Sequence, residues 1–398
     1  MKYSTKLAAI ILAGSFAFNA TSANASGFYL KEQSVTAQGN AFAGATAGAD
    51  NISYMFFNPA AITKHNGNNV VVGATFIGGD SEIINSSDAT TNGQDILPNA
   101  IVPNAYFSHQ INDKSYIGLS INAPFGLISD YDDFGYDGAS HGVKSELITK
   151  TITTTYGYKY NDKLSFGAGF KVQQANAQLT QTAAGQASIL EGDNVGYGWN
   201  VGTLYQVTEK TRLGASYLSS VKHKLKGTMK SDLIAPLNYD ISAKLETPDV
   251  FSVGVYHDIN SKWAVMAEYQ KTYWKKFNEL RIKDTSGIRP DSVTPENWKD
   301  VGFYSLGLTH KYDDKWTFRY GVAFDQGAVN DANRTVRVPD ADRTWLSTGA
   351  SYKVNEGFTI SGAYTYIIGD YAEVDHGDYS AGYDTQIHLV GIEGNWNF

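Results

Sequence analysis

From about residue 68 to the C-terminus the chain alternates apolar and polar positions with a period of two. On Trp316–Asp325, Trp316, Phe318, Tyr320, Val322 and Phe324 share one side, while Thr317, Arg319, Gly321, Ala323 and Asp325 share the other. On 166–173, Phe166, Ala168, Phe170 and Val172 oppose Gly167, Gly169, Lys171 and Gln173. Such alternation predicts strands with one apolar face. Six short polar segments punctuate it: Asn112-Asp113-Lys114, Asn161-Asp162-Lys163, Thr208-Glu209-Lys210, Asn260-Ser261-Lys262, Asp313-Asp314-Lys315 and Asn355-Glu356-Gly357. Asn, Asp and Gly suit tight turns, because they bond their own backbone locally or tolerate left-handed conformations. The segments recur at 49, 47, 52, 53 and 42 residues, a unit of about 50.

Each unit holds two strands and one longer connection. The long connections are expected over 80–99, 125–142, 182–192, 284–296, 326–342 and 370–383. Two strands around each of the six turns, plus one at each end, make fourteen. Short turns at one end, long loops at the other and an even strand number describe a closed bacterial membrane barrel. A soluble sandwich also alternates, but its apolar face is its core. Here aromatic residues gather near the strand ends, as in an interfacial girdle, and the last strand ends on Trp396 and Phe398.

The stretch 26–65 breaks this pattern. It is rich in Gly and Ala, lacks alternation, and closes on Asn58-Pro59-Ala60. Asn is a strong helix N-cap and Pro is tolerated at the first helical position, so a short helical turn is expected over 60–63. We read the stretch as a plug inside the barrel. The apolar patch Tyr54, Met55, Phe56 and Phe57 packs the plug on the wall or lines a ligand path.

Composition narrows the setting. Aromatics are 13%, with 26 tyrosines, and charged residues only 18%. There is no cysteine, hence no disulfide framework or thiolate metal site. Lys2 and Lys6, the apolar run 7–18 and Ala23-Asn24-Ala25 have the form of a cleavable signal peptide, with the mature chain starting at Ser26. No later apolar run reaches the length of a spanning helix. Removing two lysines and no acidic residue takes the formal charge from −8 to −10, which argues against nucleic acid. The expected organisation is 1–25 leader, 26–66 hatch and 67–398 transmembrane β-barrel, an all-β fold. No HExxH or P-loop is present, and Gly138-Ala139-Ser140-His141-Gly142, which has the GxSxG spacing, lies in an expected long connection rather than a strand-to-helix elbow, so no enzyme, cofactor or metal is expected.

A set of ordered motifs goes further: SGFYLKEQS from Ser26, Gly39-Asn40-Ala41, Asn58 to Thr63, Trp199 to Gly202, Phe277 to Ile282, Trp316 to Arg319, Gly321 to Asp325, Asn333-Arg334 and Val338 to Arg343. Together they resemble the long-chain fatty-acid transporter (FadL) family, which includes aromatic-hydrocarbon transporters. The resemblance implies a 14-stranded barrel with an N-terminal hatch. It also implies capture of a hydrophobic ligand between two extracellular loops, transfer to an inner pocket opened by the extreme N-terminus, and lateral exit beside a kink in the third strand.

On this sequence the movable end falls on Ser26, Gly27 and Phe28, with Phe28 filling the inner pocket, and Asn58, Pro59 and Ala60 anchor the hatch. The third strand is 115–122, and its kink falls on Asn122, Ala123, Pro124, Phe125 and Gly126. Pro124 removes a ladder donor and Gly126 permits unusual backbone; a plain strand end at Pro124 is the alternative. The capture loops are 182–192 and 231–238, both short for the family, with Ile189, Leu190, Leu233, Ile234, Pro236 and Leu237 as their apolar surface. An ionised head in an apolar cavity needs a partner. Arg319 and Arg343 are the first candidates, with Arg334 and Arg337 beside them; an internal ion-pair network with Asp340 and Asp342 is the other reading. Glu268 and Glu393 face inward and are expected to join a wetted polar lining.

The expected function is passive outer-membrane diffusion of hydrophobic compounds, long-chain fatty acids first. No segment resembles a TonB-binding box. The expected partners are the fatty acid or another hydrophobic small molecule and the lipid and lipopolysaccharide of a Gram-negative outer membrane, with no nucleic acid and a monomeric state. The alternatives are an aromatic-hydrocarbon channel, a general porin, and a barrel that transports nothing.

Overall fold

The computed structural model describes residues 27–131, 135–183, 186–231 and 238–398. The leader, Ser26, Leu233, Ile234, Pro236 and Leu237 lie outside them. Twenty antiparallel strand segments form one sheet, and six wall strands consist of two segments each, so the wall has fourteen strands. It closes where the first strand, Asn68–Ile84, pairs with the last, Ser380–Asn397, in a register from Asn69↔Asn397 to Ile84↔Gly382. Closure pairs the two terminal strands and so removes the open edges a flat sheet would present to the hydrocarbon region.

The short turns explain the period of about 50. In each of four turns, one side-chain oxygen accepts from two backbone N–H groups. Asn112 holds Lys114 and Ser115, Asn161 holds Lys163 and Leu164, Asn260 holds Lys262 and Trp263, and Asp313 holds Lys315 and Trp316. Thr208 does the same through its hydroxyl, to Lys210 and Thr211. A self-bonded turn of this kind needs no tertiary partner, which is why it is readable from the sequence.

The wall faces follow the alternation. Tyr320, Val322 and Phe324 are exposed to the membrane side, whereas Arg319, Ala323 and Asp325 point inward and are buried. What they are buried against is the hatch. Every residue from Gly27 to Gly48 is buried, although the hatch contains only one turn of α-helix, Val35–Gln38, and two 3-10 segments, Ile52–Phe56 and Pro59–Lys64. Asn58 caps the second of these, its side chain accepting from Ala60 N–H at 3.0 Å and donating to the carbonyls of Thr46 and Thr203. The wall makes room with inward glycines: a Cβ on Gly214 would stand 2.0 Å from the Thr46 carbonyl oxygen, and one on Gly321 2.1 Å from Asn40.

Two expectations are corrected here. The described residues of 182–192 are strand, not loop. The strands Leu164–Ala183 and Gln186–Gln206 pair continuously from Leu164↔Tyr205 to Ala183↔Gln186, so Ile189 and Leu190 belong to a long hairpin. Its high Gln, Ala and Thr content reads as connection but pairs as well as any ladder once a partner strand is supplied. Glu268 and Glu393 are not wetted lining. Glu393 accepts from Val35 N–H, Thr36 Oγ1 and Asn51 Nδ2 at 3.1, 2.6 and 2.7 Å, and Glu268 accepts from the backbone N–H and hydroxyl of Thr46. Both wall carboxylates hold the hatch.

Candidate functional site: the N-terminal latch, the broken third strand and an apolar cleft

The third wall strand runs Ser115–Asn122 and resumes as Gly126–Asp130. Against its fourth-strand neighbour, Asn122 pairs with Thr151 and Gly126 with Ile148. Four steps on one side therefore match three on the other, a one-residue bulge. Proline supplies the cause, since Pro124 has no N–H for the ladder. On the other side, pairing with the second strand stops at Ala105↔Ile121, although that strand continues to Ala100. The wall thus loses its ladder between Ala100–Asn104 and the break. Asn104 sits there fully buried, with neither amide atom hydrogen-bonded.

The hatch covers the break from within. Leu30 N–H donates to the Pro124 carbonyl at 2.9 Å, and Gly126 N–H donates to the Phe28 carbonyl at 2.9 Å. Tyr29 and Phe125 are thereby bridge partners of an antiparallel pair. The Gln33 amide adds a backbone-like clasp, donating to the Ala123 carbonyl at 2.8 Å and accepting from Ala123 N–H at 3.2 Å. The Phe125 N–H finds the Thr149 hydroxyl at 2.9 Å. So the backbone groups freed by the bulge are satisfied by hatch and neighbour side chains, as buried polar groups must be.

Phe28 is 2% exposed. Its ring lies 4.5 Å from Trp274, 5.5 Å from Trp298, 5.9 Å from Phe277 and 6.2 Å from Phe125, mostly edge-on. Gly27 makes this seat possible. It has φ +61°, and a Cβ there would lie 2.6 Å from Trp298 and 2.8 Å from Trp274. Its N–H donates to Asp340 Oδ2 at 3.1 Å, the same oxygen that accepts from Ala328 N–H at 2.7 Å. Asp340 also pairs with Arg343.

Above Phe28 opens a cavity of about 110 Å³, lined chiefly by Leu127, Leu147, Leu190, Leu225, Leu245 and Trp298, with Arg337 at its wall. Leu190 therefore reaches the cleft from a strand, whereas Ile189, its neighbour on the hairpin, does not line it. Beside Trp298, Glu296 is buried and accepts from the indole N–H at 2.9 Å. Burial pushes its carboxyl up to about 7.

The arginines divide. Arg319 binds Asp50 of the hatch at 2.8 Å and the Ser351 hydroxyl at 2.6 Å. Arg343 is paired with Asp340, and Arg334 with Asp331 at 2.7 Å and the carbonyls of Asp340 and Glu373. Arg319 and Arg343 are thus engaged by protein carboxylates and brace the hatch and the loop 326–342. Arg337 makes no ion pair among the described residues. Trp274, Trp298 and Gln33 were not legible as site residues: each meets Phe28 or the break across scores of residues, and no local spacing announces it.

Comparison with known proteins agrees with this architecture. Residues 16–398 match the model of the family described as outer membrane protein transport protein (OMPP1/FadL/TodX). The chain is 32% identical over 428 residues to a long-chain fatty acid transport protein of Salmonella typhi, covering 97% of this chain and 98% of the relative. It is 31% identical over 439 residues to that of Escherichia coli K12, with the same coverage of both chains. Among solved structures, a FadL homologue of Pseudomonas aeruginosa superposes with TM-score 0.84 at 22% identity, over 93% of this chain and 99% of that one. The Ralstonia pickettii toluene transporter TbuX superposes with TM-score 0.73 at 20% identity, over the same shares.

Proposed function

The chain belongs to the OMPP1/FadL/TodX family of outer-membrane transport proteins, and from that premise we propose that it carries long-chain fatty acids by passive diffusion, gated by its N-terminal latch and released sideways at the third strand. As a member of the family it is an outer-membrane channel for hydrophobic small molecules rather than an enzyme. The observation that carries the finer reading is that one segment, Phe28–Leu30, both caps the cleft and closes the ladder at the break. A ligand that displaces Phe28 from its cage removes the cover of the gap in the same movement.

The magnitudes allow it. A cavity of about 110 Å³ is smaller than the ~150 Å³ that admits benzene in an engineered protein core, so Phe28 must leave for a ligand to pass. Withdrawal costs two backbone hydrogen bonds at ~1 kcal/mol each and the burial of one phenylalanine at ~2–3 kcal/mol. Burying about six methylenes at ~0.8 kcal/mol each offsets that. A long acyl chain has more than enough. No external energy source is required, and direction follows the substrate gradient.

The test uses the absence of native cysteine. Tyr29 and Phe125 face one another as a non-hydrogen-bonded antiparallel pair, whose Cα separation of ~4.5 Å suits a disulfide. In Tyr29→Cys/Phe125→Cys, oxidation abolishes uptake of radiolabelled oleate by cells, and reduction restores it. Full uptake through the oxidised protein overturns the gate. The aromatic cage around Phe28 also suits an aromatic hydrocarbon, so the same cells are scored for toluene uptake. Ion conductance of the unaltered protein in planar bilayers would instead point to a porin.

A further inference from the structure

One cation at the apolar cleft, Arg337, has no ion pair among the described residues. Arg337 is half-buried at its wall, and its guanidinium donates only to neutral oxygens: the Lys144 carbonyl and Ser145 hydroxyl, both at 3.1 Å, the Thr180 carbonyl at 3.0 Å and the Gln181 amide at 3.3 Å. Among the described residues it has no ion pair, whereas Arg319, Arg334 and Arg343 each have one. The carboxylates nearest the cleft are committed elsewhere. Glu146 pairs with Lys144 at 3.7 Å, Glu191 with Lys230 at 3.0 Å, and Glu296 accepts from Trp298. A guanidinium beside leucines, aimed by two backbone carbonyls and two side-chain acceptors and without an ion pair among the described residues, is a preorganised site for an incoming carboxylate; the carboxyl whose field reaches it, Glu296, is itself held up to about 7 by burial.

We infer that Arg337 is the head-group anchor of the cleft, binding the carboxylate of an amphipathic ligand whose chain runs between Leu127, Leu147 and Leu225 toward Phe28. This rests on the reading that an acyl chain occupies the cleft. The arrangement gives the channel a means of preferring an acid to an uncharged molecule of the same length. The geometry also sets the polarity of entry: the tail reaches the Phe28 cage first and the head stays at the loop 326–342. Arg337 and Phe28 therefore mark the two ends of one binding site. Gln181 and the Ser145 hydroxyl are the two acceptors a carboxylate displaces, since both are side chains and can rotate away, while the carbonyls of Lys144 and Thr180 keep the guanidinium aimed.

The experiment compares oleate with oleyl alcohol, which share a chain and differ in the head, binding to the full-length protein in a non-ionic maltoside. The unaltered protein is expected to prefer oleate by about tenfold, the worth of one charge-assisted hydrogen bond. Arg337→Met loses that preference while binding oleyl alcohol as before, and Arg337→Lys keeps most of it. Retention of the full preference by Arg337→Met overturns the assignment. Binding of neither ligand by the unaltered protein overturns the cleft reading itself, and the anchor with it, so the two failures are told apart. Arg337→Gln, which preserves donors to the Lys144 and Thr180 carbonyls, replaces Arg337→Met if that variant does not assemble into a heat-resistant barrel. As a measurement on the unaltered chain, 13C-carboxyl NMR of bound oleate is expected to read an ionised head at pH values where detergent-dissolved oleate is protonated. A bound carboxyl that titrates with the free one overturns the assignment.

Discussion

The two ends of the hatch are held in different ways. From Val35 to Thr63 it is seated in the wall: Glu393 and Glu268 grip its backbone and hydroxyls, Arg319 takes Asp50, and inward glycines leave sockets shaped to Asn40 and Thr46. From Gly27 to Leu30 it is held by two ladder bonds, one N–H to Asp340 and an aromatic cage. The first set combines hydrogen bonds to buried carboxyl groups and one ion pair with backbone-to-backbone contact, and breaking either of the first two strands a buried polar or charged group. The second consists of neutral hydrogen bonds, one N–H on a carboxylate, and an apolar ring that another apolar molecule can replace. On the proposed mechanism, a plug that stays and a latch that moves are thus made from one continuous segment by the kind of contact each receives.

The sharpest way to break this contrast is to fill a socket. Gly214→Val places side-chain atoms on the Thr46 carbonyl, at 2.0 Å for the Cβ alone. Overpacking of this kind is worth ~3 kcal/mol, and here it falls on the fixed part. The expected outcome is an unseated hatch and steady ion conductance in planar bilayers, with the barrel itself intact by heat-modified mobility. A variant that stays as closed as the unaltered protein would mean the sockets do not hold the plug.

A smaller change attacks only the latch. Gly27→Ala adds a Cβ that meets Trp298 and Trp274 and must adopt φ +61°, at a cost of ~1–3 kcal/mol. It should leave conductance silent and speed the exchange of a bound fluorescent fatty acid about tenfold or more, measured by stopped flow. Equal exchange rates would show that Phe28 does not limit access.

The smallest effect sharpens the description of the cage. Glu296 carries a carboxyl raised to about 7, burial being the main cause. A raised folded-state value means that its contribution to stability is fully present below the unfolded carboxylate range and is lost as pH rises through about 7. Since the carboxyl touches the indole N–H of Trp298, tryptophan emission should titrate with a midpoint near 7, and Glu296→Gln should remove that transition. A flat profile in the unaltered protein would show that the group keeps an ordinary carboxylate value.

The barrel was legible because its information is local. Asn112, Asn161, Asn260 and Asp313 bond their own turns, and alternation needs only the next residue but one, so both leave a period in the chain. The break at Pro124 was legible for the same reason, as a missing donor. The hairpin of Leu164–Ala183 and Gln186–Gln206 reads as a loop over 182–192 in the sequence, since polar, small-residue strands outside the membrane carry no alternation to mark them.

The sequence by itself determined the fourteen-stranded wall, the position of its weak point and the presence of a segment unlike the rest. Its ordered motifs also placed the chain within a transport family. Only the tertiary structure decided that Phe28–Leu30 lies on that weak point, that Arg319 and Arg343 are engaged by Asp50 and Asp340, and that Arg337 is left facing a cleft of leucines. The physical reason is the range over which each property is set. Turns and faces come from covalent neighbours, whereas the partner of a buried charge, or the cover of a broken strand, comes from residues brought together when the wall closes around the hatch.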